Sequence, residues 1–382
     1  MTSVHPRLPC HLFRLVGVTT ILACAPAPDD RGRVPASGSA LQHPDARWVD
    51  GSLQAAFTVP IDAQGAPGTL RFGAEAQARW GTETDPPEHT IGEIRTAVLL
   101  PDGGVGIVDP RSPALRVYDA AGRPRQVVGR RGQGPGEFRY PLSATVDRDG
   151  RLYVADANWR IEVFVLINGK YEYERTLTLE LIAQDLCFLA DTLVVQGLSL
   201  SRQTLIHIYD RAGRRVRSFG EFYHSPSPDM NEEFGLGRIA CDEKRRLIYY
   251  APRIGNGEVR AFRADGTLLW RTSFSGFRSN PWVSENRTLT TRLSRQGNHT
   301  LVTLAYVDGH GLLVQWTFRT WQQLEDEAQF GTTVSFLLNP GSGEPRALGA
   351  SLPLVPAISA GRAVAIFEDP VPRFEVRALT RH

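Results

Sequence analysis

Arginine side chains gather over a short stretch of this 382-residue chain, at Arg130, Arg131 and Arg139, and Tyr140 stands beside the last of them. Guanidinium groups pair with carboxylate, sulfate and phosphate groups, and an aromatic ring next to them can pack against a ligand. The favoured interpretation of the stretch is a solvated loop without a ligand. The alternative, in which these four residues take part in binding, is an anion-binding site for a polysaccharide, a lipid headgroup or an acidic protein segment.

Two later segments carry aromatic and polar residues where the rest of the chain has short turns. One holds Tyr223 and His224, and the other holds Phe277 and Trp282, whose rings we expect to be exposed. Irregular aromatic loops on a rigid scaffold are frequent binding sites, so these four residues are predicted to contact a ligand. Alternatively, each loop covers the edge of the sheet beside it.

No short motif of a catalytic or metal site occurs in the sequence. The run Gly129–Gly136 lacks the Lys-Ser/Thr ending of a phosphate-binding loop. Asp147 and Asp149 fit a tight turn better than a calcium loop, since no Glu follows at the twelfth position. We therefore predict no catalytic residue, no metal ligand and no cofactor. A divalent cation held by side chains from distant parts of the chain stays open, because such a set leaves no local spacing.

The elements that must position these residues follow a repeating pattern. Strand signals at Ser143–Val146, Leu152–Ala155 and Ile161–Phe164 are separated by turns rich in Asp, Asn and Gly. A copy of the same order lies upstream, where Asp109 precedes Asp156 by 47 positions, and weaker copies follow toward the C-terminus. A period in the forties built from four short strands is typical of β-propeller blades.

The best copy resembles an NHL repeat, and the match is close over roughly the first two blades. The matching residues are Gly129, Gly132, Gly134, Pro135, Gly136, Glu137, Phe138, Pro141, Asp147, Gly150, Leu152, Tyr153, Val154, Asp156, Arg160, Ile161, Val163 and Phe164. The resemblance implies an all-β fold, a six-bladed β-propeller with four-stranded antiparallel blades, and seven blades is the alternative. It implies no single function. Some members bind RNA and others are metal-dependent amidating lyases, but no motif in this chain allows those residues to be carried over.

The propeller is predicted to span residues 51–380, with a strand at Leu53–Val59 completing the last blade. Closing the ring in this way removes an exposed sheet edge. Cys187 and Cys241 occupy equivalent positions in two adjacent blades. Equivalent strands are usually further apart than the roughly 4.4–6.8 Å that a disulfide needs between Cα atoms, so we expect two small core residues there. A disulfide, which is allowed outside the cytoplasm, is the alternative. Trp316 is expected to pack between blades.

Residues 1–23 have the features of a bacterial lipoprotein signal peptide. A basic start precedes the short apolar run Leu15–Leu22, and the Ile-Leu-Ala-Cys sequence ending at Cys24 resembles a lipobox, which implies lipidation of Cys24. An ordinary secretion signal is the alternative. Residues 24–50 are rich in Pro, Ala, Ser and Gly and are predicted to form a flexible tether. We therefore expect an extracytoplasmic protein, periplasmic or at the cell surface, that is lipid-anchored to a bacterial membrane, with the outer membrane favoured.

The charge balance sets limits on the partner. The chain has 43 Lys and Arg against 41 Asp and Glu, a net charge of +2, so no global attraction to nucleic acid is expected. The predicted function is a membrane-tethered, non-catalytic binding or scaffold module for an envelope protein or glycan. A metal-dependent extracytoplasmic propeller enzyme of lyase or lactonase type is the alternative, and a subunit of an outer-membrane assembly or transport complex is a third. The oligomeric state is left open.

Overall fold

The structure is a computed structural model, and the residues that it describes belong to the unit Leu41–His382. They are residues 55–65, 70–73, 75–80, 86–89, 91–199, 203–221, 233–279, 282–285, 288–291, 295–325, 331–349, 352–359, 361–367 and 373–380. The predicted signal peptide and tether, with Cys24, lie outside these ranges, as do Tyr223 and His224.

Three short strands precede the first blade, and each of them pairs with a strand much later in the chain. They are β1 (Ala55–Pro60), β2 (Arg71–Phe72) and β3 (Ala78–Trp80), and a 3₁₀ helix follows at Pro87–His89.

Blades one to three come next, and each is a four-stranded antiparallel sheet. From the inside outward, blade one contains β4 (Thr96–Leu99), β5 (Val105–Asp109), β6 (Ala114–Tyr118) and β7 (Pro124–Val128). Blade two contains β8 (Pro141–Val146), β9 (Leu152–Asp156), β10 (Arg160–Ile167) and β11 (Lys170–Thr178). Blade three contains β12 (Asp185–Leu189), β13 (Thr192–Ser199), β14 (Thr204–Tyr209) and β15 (Arg215–Glu221).

Blades four to six complete the series. Blade four contains β16 (Gly237–Asp242), β17 (Leu247–Pro252), β18 (Glu258–Arg263) and β19 (Leu268–Ser275), and the hairpin β20 (Trp282–Glu285) and β21 (Thr288–Thr291) follows it. Blade five contains β22 (Asn298–Val307), β23 (Gly311–Arg319), helix α1 (Trp321–Glu325), β24 (Thr332–Leu338) and β25 (Pro345–Gly349). Blade six contains β26 (Leu354–Ser359), β27 (Arg362–Phe367) and β28 (Arg373–Thr380). Over the described ranges, no helix has both the length and the apolar character needed to cross a membrane.

The innermost strands of the blades surround a central channel. They contact one another in the order β4, β8, β12, β16, β22 and β26, and β26 returns to β4. Apolar side chains fill the spaces between blades; one such cluster joins Val98 and Leu115 of blade one to Leu152 and Phe164 of blade two. The ring has six blades, which confirms the predicted fold.

The turn Asp147–Gly150 shows how the repeat sequence makes its strand connections. One carboxylate oxygen of Asp147 accepts the backbone N–H groups of Asp149 and Arg151, each at 2.9 Å. Gly150 has a φ of 80°, a left-handed conformation that glycine adopts without a steric penalty. The acidic residues therefore form a tight turn, as the sequence indicated.

Closure of the ring differs from the sequence prediction. The prediction that a strand at Leu53–Val59 completes the last blade was wrong, because β1 pairs in parallel with β19 as a fifth, outer strand of blade four. Blade six is completed by β3, which pairs antiparallel with β28. Trp80 explains this choice, since its fully buried ring fills the space between blade six and blade one. A three-residue strand is too short to carry a readable alternation of apolar and polar residues.

The two cysteines form a disulfide, so the prediction of two separate core thiols was wrong. Cys187 and Cys241 are bonded, and their Cα atoms are 5.9 Å apart. Both lie on innermost strands, β12 and β16. Neighbouring blades converge toward the channel, and their innermost strands therefore approach far more closely than their outer strands do. The separation falls inside the range that a disulfide requires.

Trp316 packs between blades, as predicted. It is fully buried on β23 of blade five, and its ring meets that of Phe274 on β19 of blade four, with centroids 4.3 Å apart. Phe336 completes the cluster. The blade four to blade five contact is thus aromatic, and it fixes the position of the connection between these blades.

Candidate anion-binding site at the channel mouth

All innermost strands begin on the same face of the ring, which we call the entry face. In each antiparallel blade the second strand ends there and the third begins there. The connections between blades also cross this face, because they run from the end of an outermost strand to the start of the next innermost strand. Residues at the starts of the innermost strands therefore surround the opening of the channel, which we call the channel mouth.

Arg238 spans the channel mouth. It lies at the start of β16 in blade four, and its Nη2 donates a hydrogen bond of 3.0 Å to the carbonyl oxygen of Arg95, just before β4 in blade one. Blades one and four stand opposite each other in a six-bladed ring, so this bond crosses the channel. The Arg238 side chain is 18% exposed, which leaves its charge within reach of a ligand on the entry face.

Two further guanidinium groups share this space. Arg253 follows β17 of blade four, and Arg95 precedes β4. Burial, and then the positive charges of Arg253 and Arg238, lower the pKa of Arg95 to about 9. Burial also lowers the pKa of Arg253. The Nε of Arg95 is buried without a hydrogen-bond partner among the described residues. Three like charges thus lie close enough to disfavour one another's charged form, and a bound anion would offset this repulsion.

Two acidic residues at the mouth form ion pairs with these arginines, but at distances longer than a hydrogen bond. Arg238 and Asp185 are 3.7 Å apart, and Arg253 and Glu233 are 3.8 Å apart. Charge-assisted N–H···O bonds normally measure about 2.7–2.9 Å. The guanidinium groups therefore gain only part of the stabilisation that a close carboxylate would give, and a ligand carboxylate, sulfate or phosphate can supply the rest.

Asp185 holds the innermost strands of three blades in place. Its Oδ1 accepts a hydrogen bond of 2.7 Å from the Ser143 hydroxyl in blade two, and its Oδ2 accepts one of 3.0 Å from the backbone N–H of Ile239 in blade four. Asp185 itself begins the innermost strand of blade three. The next residue before Ile239 is Arg238, so this network fixes the base of the side chain that crosses the channel.

Buried aspartates at the ends of second strands position the approach to the mouth. Asp156 accepts the backbone N–H groups of Tyr140 and Arg139, at 2.7 and 3.2 Å. Asp109 does the same in blade one, where it accepts those of Gly92 and Glu93. These are the aspartates that recur in the sequence repeat, and they anchor the segments that lead to Tyr140 and Arg95.

Of the binding residues predicted from the sequence, Tyr140 is the one that lies at the channel mouth. Its ring is half-buried, and burial followed by the nearby Glu93 carboxylate raises the pKa of its hydroxyl. The positive charges of Arg95 and Arg253 lower the pKa of the same hydroxyl. The hydroxyl is therefore protonated at neutral pH and lies within the electrostatic field of the mouth arginines, where it can donate a hydrogen bond to an anion.

The other predicted arginines lie on the same face but are engaged elsewhere. Arg130 is 82% exposed and pairs with Glu137 at 2.7 Å, and Arg131 donates to the carbonyl oxygen of Arg111 at 3.1 Å. Arg139 is exposed. These residues form an outer basic rim rather than the mouth itself.

Phe277 is less exposed than predicted. Its ring stacks on His299 with centroids 5.3 Å apart and also meets Trp316, so it belongs to the aromatic cluster between blades four and five. The expectation of an exposed ring was wrong, because the segment after β19 folds back on that cluster. Trp282 begins β20, and its side chain lies outside the described part of the structure, as do Tyr223 and His224.

Sequence reasoning missed Arg95, Arg238 and Arg253. No local cluster marks them, because Arg95 and Arg238 are separated by 143 positions and come together only when the ring closes. Aligning the blades would have given one signal: Arg95, Tyr140 and Arg238 all stand next to the first residue of an innermost strand.

Metal-binding side chains do not gather at the mouth or elsewhere in the described ranges. No group of three or more His, Cys, Asp or Glu residues there is arranged to hold a metal ion. The alternative of a metal-dependent enzyme stays a prediction, and the described residues contain no group of metal ligands that would support it.

Comparison with known proteins agrees with the fold. Residues 87–197 match the family model described as a 6-bladed beta-propeller. The chain is therefore a six-bladed β-propeller protein, all-β with four-stranded antiparallel blades. No curated protein shows significant similarity to its sequence.

Two solved structures share the fold at low sequence identity. One is a candidate exported protein from Bacteroides fragilis, with 12% identity and a TM-score of 0.53, covering 86% of this chain and 99% of its own. The other is a member of the duf4221 family from Bacteroides vulgatus, with 9% identity and a TM-score of 0.57, covering 82% and 99%. At these identities the likeness extends to the fold alone.

Proposed function

We propose that this protein is a membrane-tethered, extracytoplasmic and non-catalytic binding module, and that its channel mouth binds an anionic group of an envelope protein or glycan. The observation that carries the proposal is the set Arg95, Arg238 and Arg253. The ion pairs that Arg238 and Arg253 form with carboxylates measure 3.7 and 3.8 Å, longer than a charge-assisted hydrogen bond. Tyr140 adds a hydrogen-bond donor. A rigid ring holds these groups in place, so little ordering entropy opposes binding.

The proposed location is supported by two independent features. The sequence ending at Cys24 resembles a lipobox, and the Cys187–Cys241 disulfide is of a kind that persists in oxidising compartments. The likeness in fold to a candidate exported protein is in keeping with this location. Replacement Cys24→Ala should release the protein from membranes on fractionation. If the variant sediments with membranes as the wild type does, the lipid-anchor part of the proposal is wrong.

Binding can be tested with a polyanion of defined chemistry. We expect the purified protein to bind dextran sulfate by isothermal titration calorimetry and not to bind neutral dextran. The double variant Arg95→Gln/Arg238→Gln should lose at least about tenfold in affinity, since each lost contact is charge-assisted. Arg253→Gln provides a second variant that leaves the hydrogen bond across the channel intact.

Matched controls lie on the opposite face of the ring. Arg123 and Arg214 are exposed and pair with Asp119 and Asp210 in turns between third and fourth strands. Arg123→Gln and Arg214→Gln should leave the dextran sulfate affinity unchanged. Equal losses in these controls and in the mouth variants would show a general charge effect and contradict the proposed site.

Metal analysis tests the non-catalytic part of the proposal. A stoichiometric divalent ion in the purified full-length protein, retained after dialysis, would contradict a simple binding module and favour the lyase or lactonase alternative. Protein free of bound metal that still binds dextran sulfate is the expected result.

A further inference from the structure

Trp159 is unusual in both its exposure and its backbone. It lies on the entry face in the turn between β9 and β10 of blade two, 45% exposed, with a φ of 57°. Bulky residues rarely adopt this left-handed conformation, whereas Asn and Gly adopt it at little cost. Within the described part of the chain, no other aromatic ring stacks on the indole. Stacking with other aromatic rings therefore does not account for a tryptophan at this position.

The turn that carries Trp159 contacts the backbone of Tyr140, which belongs to the proposed anion site. Ala157, two residues before Trp159, donates its backbone N–H to the carbonyl oxygen of Tyr140 at 3.1 Å. The same turn contains Asp156, which holds the backbone of Arg139 and Tyr140. Since the turn joins the second and third strands, Trp159 lies further from the channel axis than Tyr140, on the same blade and the same face.

We propose that Trp159 is a stacking platform for a sugar ring, and that the ligand of the channel mouth is an acidic glycan. This inference rests on the proposed anion-binding function. The flat, C–H-rich face of a pyranose packs on an indole while its hydroxyl groups stay hydrated. An acidic sugar further along the same chain then places its carboxylate among Arg95, Arg238 and Arg253.

The surroundings of Trp159 favour a glycan over a protein partner. An aromatic residue that anchors a protein interface is normally surrounded by further contacts that exclude water. The other large hydrophobic side chains exposed in the described ranges do not surround it: Leu166 and Ile167 end β10 on the opposite face, and Tyr173 and Val216 lie on outermost strands. A single exposed ring on the entry face suits a polar ligand that needs one apolar contact.

Replacement Trp159→Asn gives a first, ligand-free test. Asn fits the left-handed turn, so the unfolding midpoint should rise, by about 1–3 °C for a domain of this size. A tryptophan retained for packing would instead lower the midpoint on replacement. A fall in the midpoint would therefore overturn the proposal.

Binding gives the second test, with hexagalacturonate as the probe, maltohexaose as the neutral sugar and polyglutamate as the peptide polyanion. We expect hexagalacturonate to bind and to quench tryptophan fluorescence. Trp159→Asn should weaken this binding at least about tenfold and leave the binding of inorganic polyphosphate, a polyanion without sugar rings, within about twofold. Arg95→Gln/Arg238→Gln should weaken both.

The remaining outcomes separate this inference from the proposed function. Hexagalacturonate binding that survives in Trp159→Asn, or binding of polyphosphate without hexagalacturonate, overturns the glycan platform and leaves the anion site standing. Polyglutamate binding with the same dependence on Trp159 overturns the glycan in favour of an acidic protein. If neither dextran sulfate nor hexagalacturonate binds, the proposed function itself fails.

Discussion

Trp80 stacks on Tyr118, with ring centroids 5.6 Å apart and planes 20° apart. Trp80 belongs to the N-terminal strand β3 and Tyr118 to blade one, and the second face of the indole meets Phe374 of blade six. One side chain thus joins the first and last blades. We expect Trp80→Ala to lower the free energy of unfolding by about 3–5 kcal/mol, the usual cost of removing a fully buried large aromatic residue.

Urea unfolding followed by circular dichroism measures this loss. Val216→Ala is the control, because Val216 is 63% exposed on an outer strand and such changes usually stay within about 0.5 kcal/mol. A Trp80→Ala variant as stable as the wild type would show that ring closure does not depend on the stacked ring.

The Cys187–Cys241 disulfide joins the innermost strands of blades three and four across a sequence separation of 54. Closing a loop of this length lowers the entropy of the unfolded chain, and we expect Cys187→Ala/Cys241→Ala to reduce stability by about 2–4 kcal/mol. Dithiothreitol should destabilise the wild type by a similar amount and leave the double variant unaffected. Equal sensitivity of both proteins to the reductant would contradict a native disulfide.

His299 should make stability depend on pH. Its buried ring stacks near Phe277 and Phe318, and its Nδ1 accepts the backbone N–H of Arg278 at 3.0 Å. Burial lowers the pKa of His299 from 6.5 to about 4. The unfolded chain therefore binds this proton more readily than the folded chain does. The stabilisation is complete above pH 6.5 and is lost as the pH falls toward 4, by up to about 3 kcal/mol.

His299→Gln isolates this effect, since the glutamine amide oxygen can still accept a hydrogen bond but does not titrate. The difference in unfolding free energy between wild type and variant should shrink as the pH is lowered from 7 to 4. Carboxylates that titrate in the same range contribute to both proteins and cancel in the difference. A difference independent of pH would argue against the low pKa.

Asp185→Asn should have opposite effects on stability and on binding. The amide can keep hydrogen bonds to Ser143 and Ile239, so we expect a loss of about 1 kcal/mol. Removing a negative charge beside Arg238 should strengthen dextran sulfate binding by about threefold. This is the effect of the Coulomb repulsion between two unit charges roughly 6 Å apart in a water-like medium. Weaker binding by the variant would mean that Asp185 serves mainly to orient Arg238.

Much of the fold could be predicted from the sequence because each blade repeats the same local physics. The turn at Asp147 and Gly150 is formed by local backbone and side-chain atoms, and the apolar run of β9 indicates a buried strand without distant information. The pairing of β3 with β28 could not be predicted in this way, because it depends on which residue fits between two blades far apart in sequence. The disulfide was missed for a related reason, since inter-blade spacing depends on distance from the channel.

The candidate site was only partly predictable. Tyr140 lies in the best copy of the repeat, next to a visible arginine cluster, and it does reach the mouth. Arg95 and Arg238 are single residues in ordinary surroundings, and they share a site only because blades one and four face each other. Phe277 was predicted as exposed because an aromatic residue in an irregular loop carries no sign of the His299 ring that it packs against.

The pairing of β3 with β28 also bears on biosynthesis. Phe374 stands opposite Trp80 in the sheet, 294 positions further along the chain. A chain still emerging from a ribosome or a secretion channel can assemble blades one to five in order, but β3 has no partner strand until β28 appears. Closure is thus a late, all-or-none event. Premature stop codons, even after β27, should yield an open ring that quality-control proteases recognise, rather than a smaller working propeller.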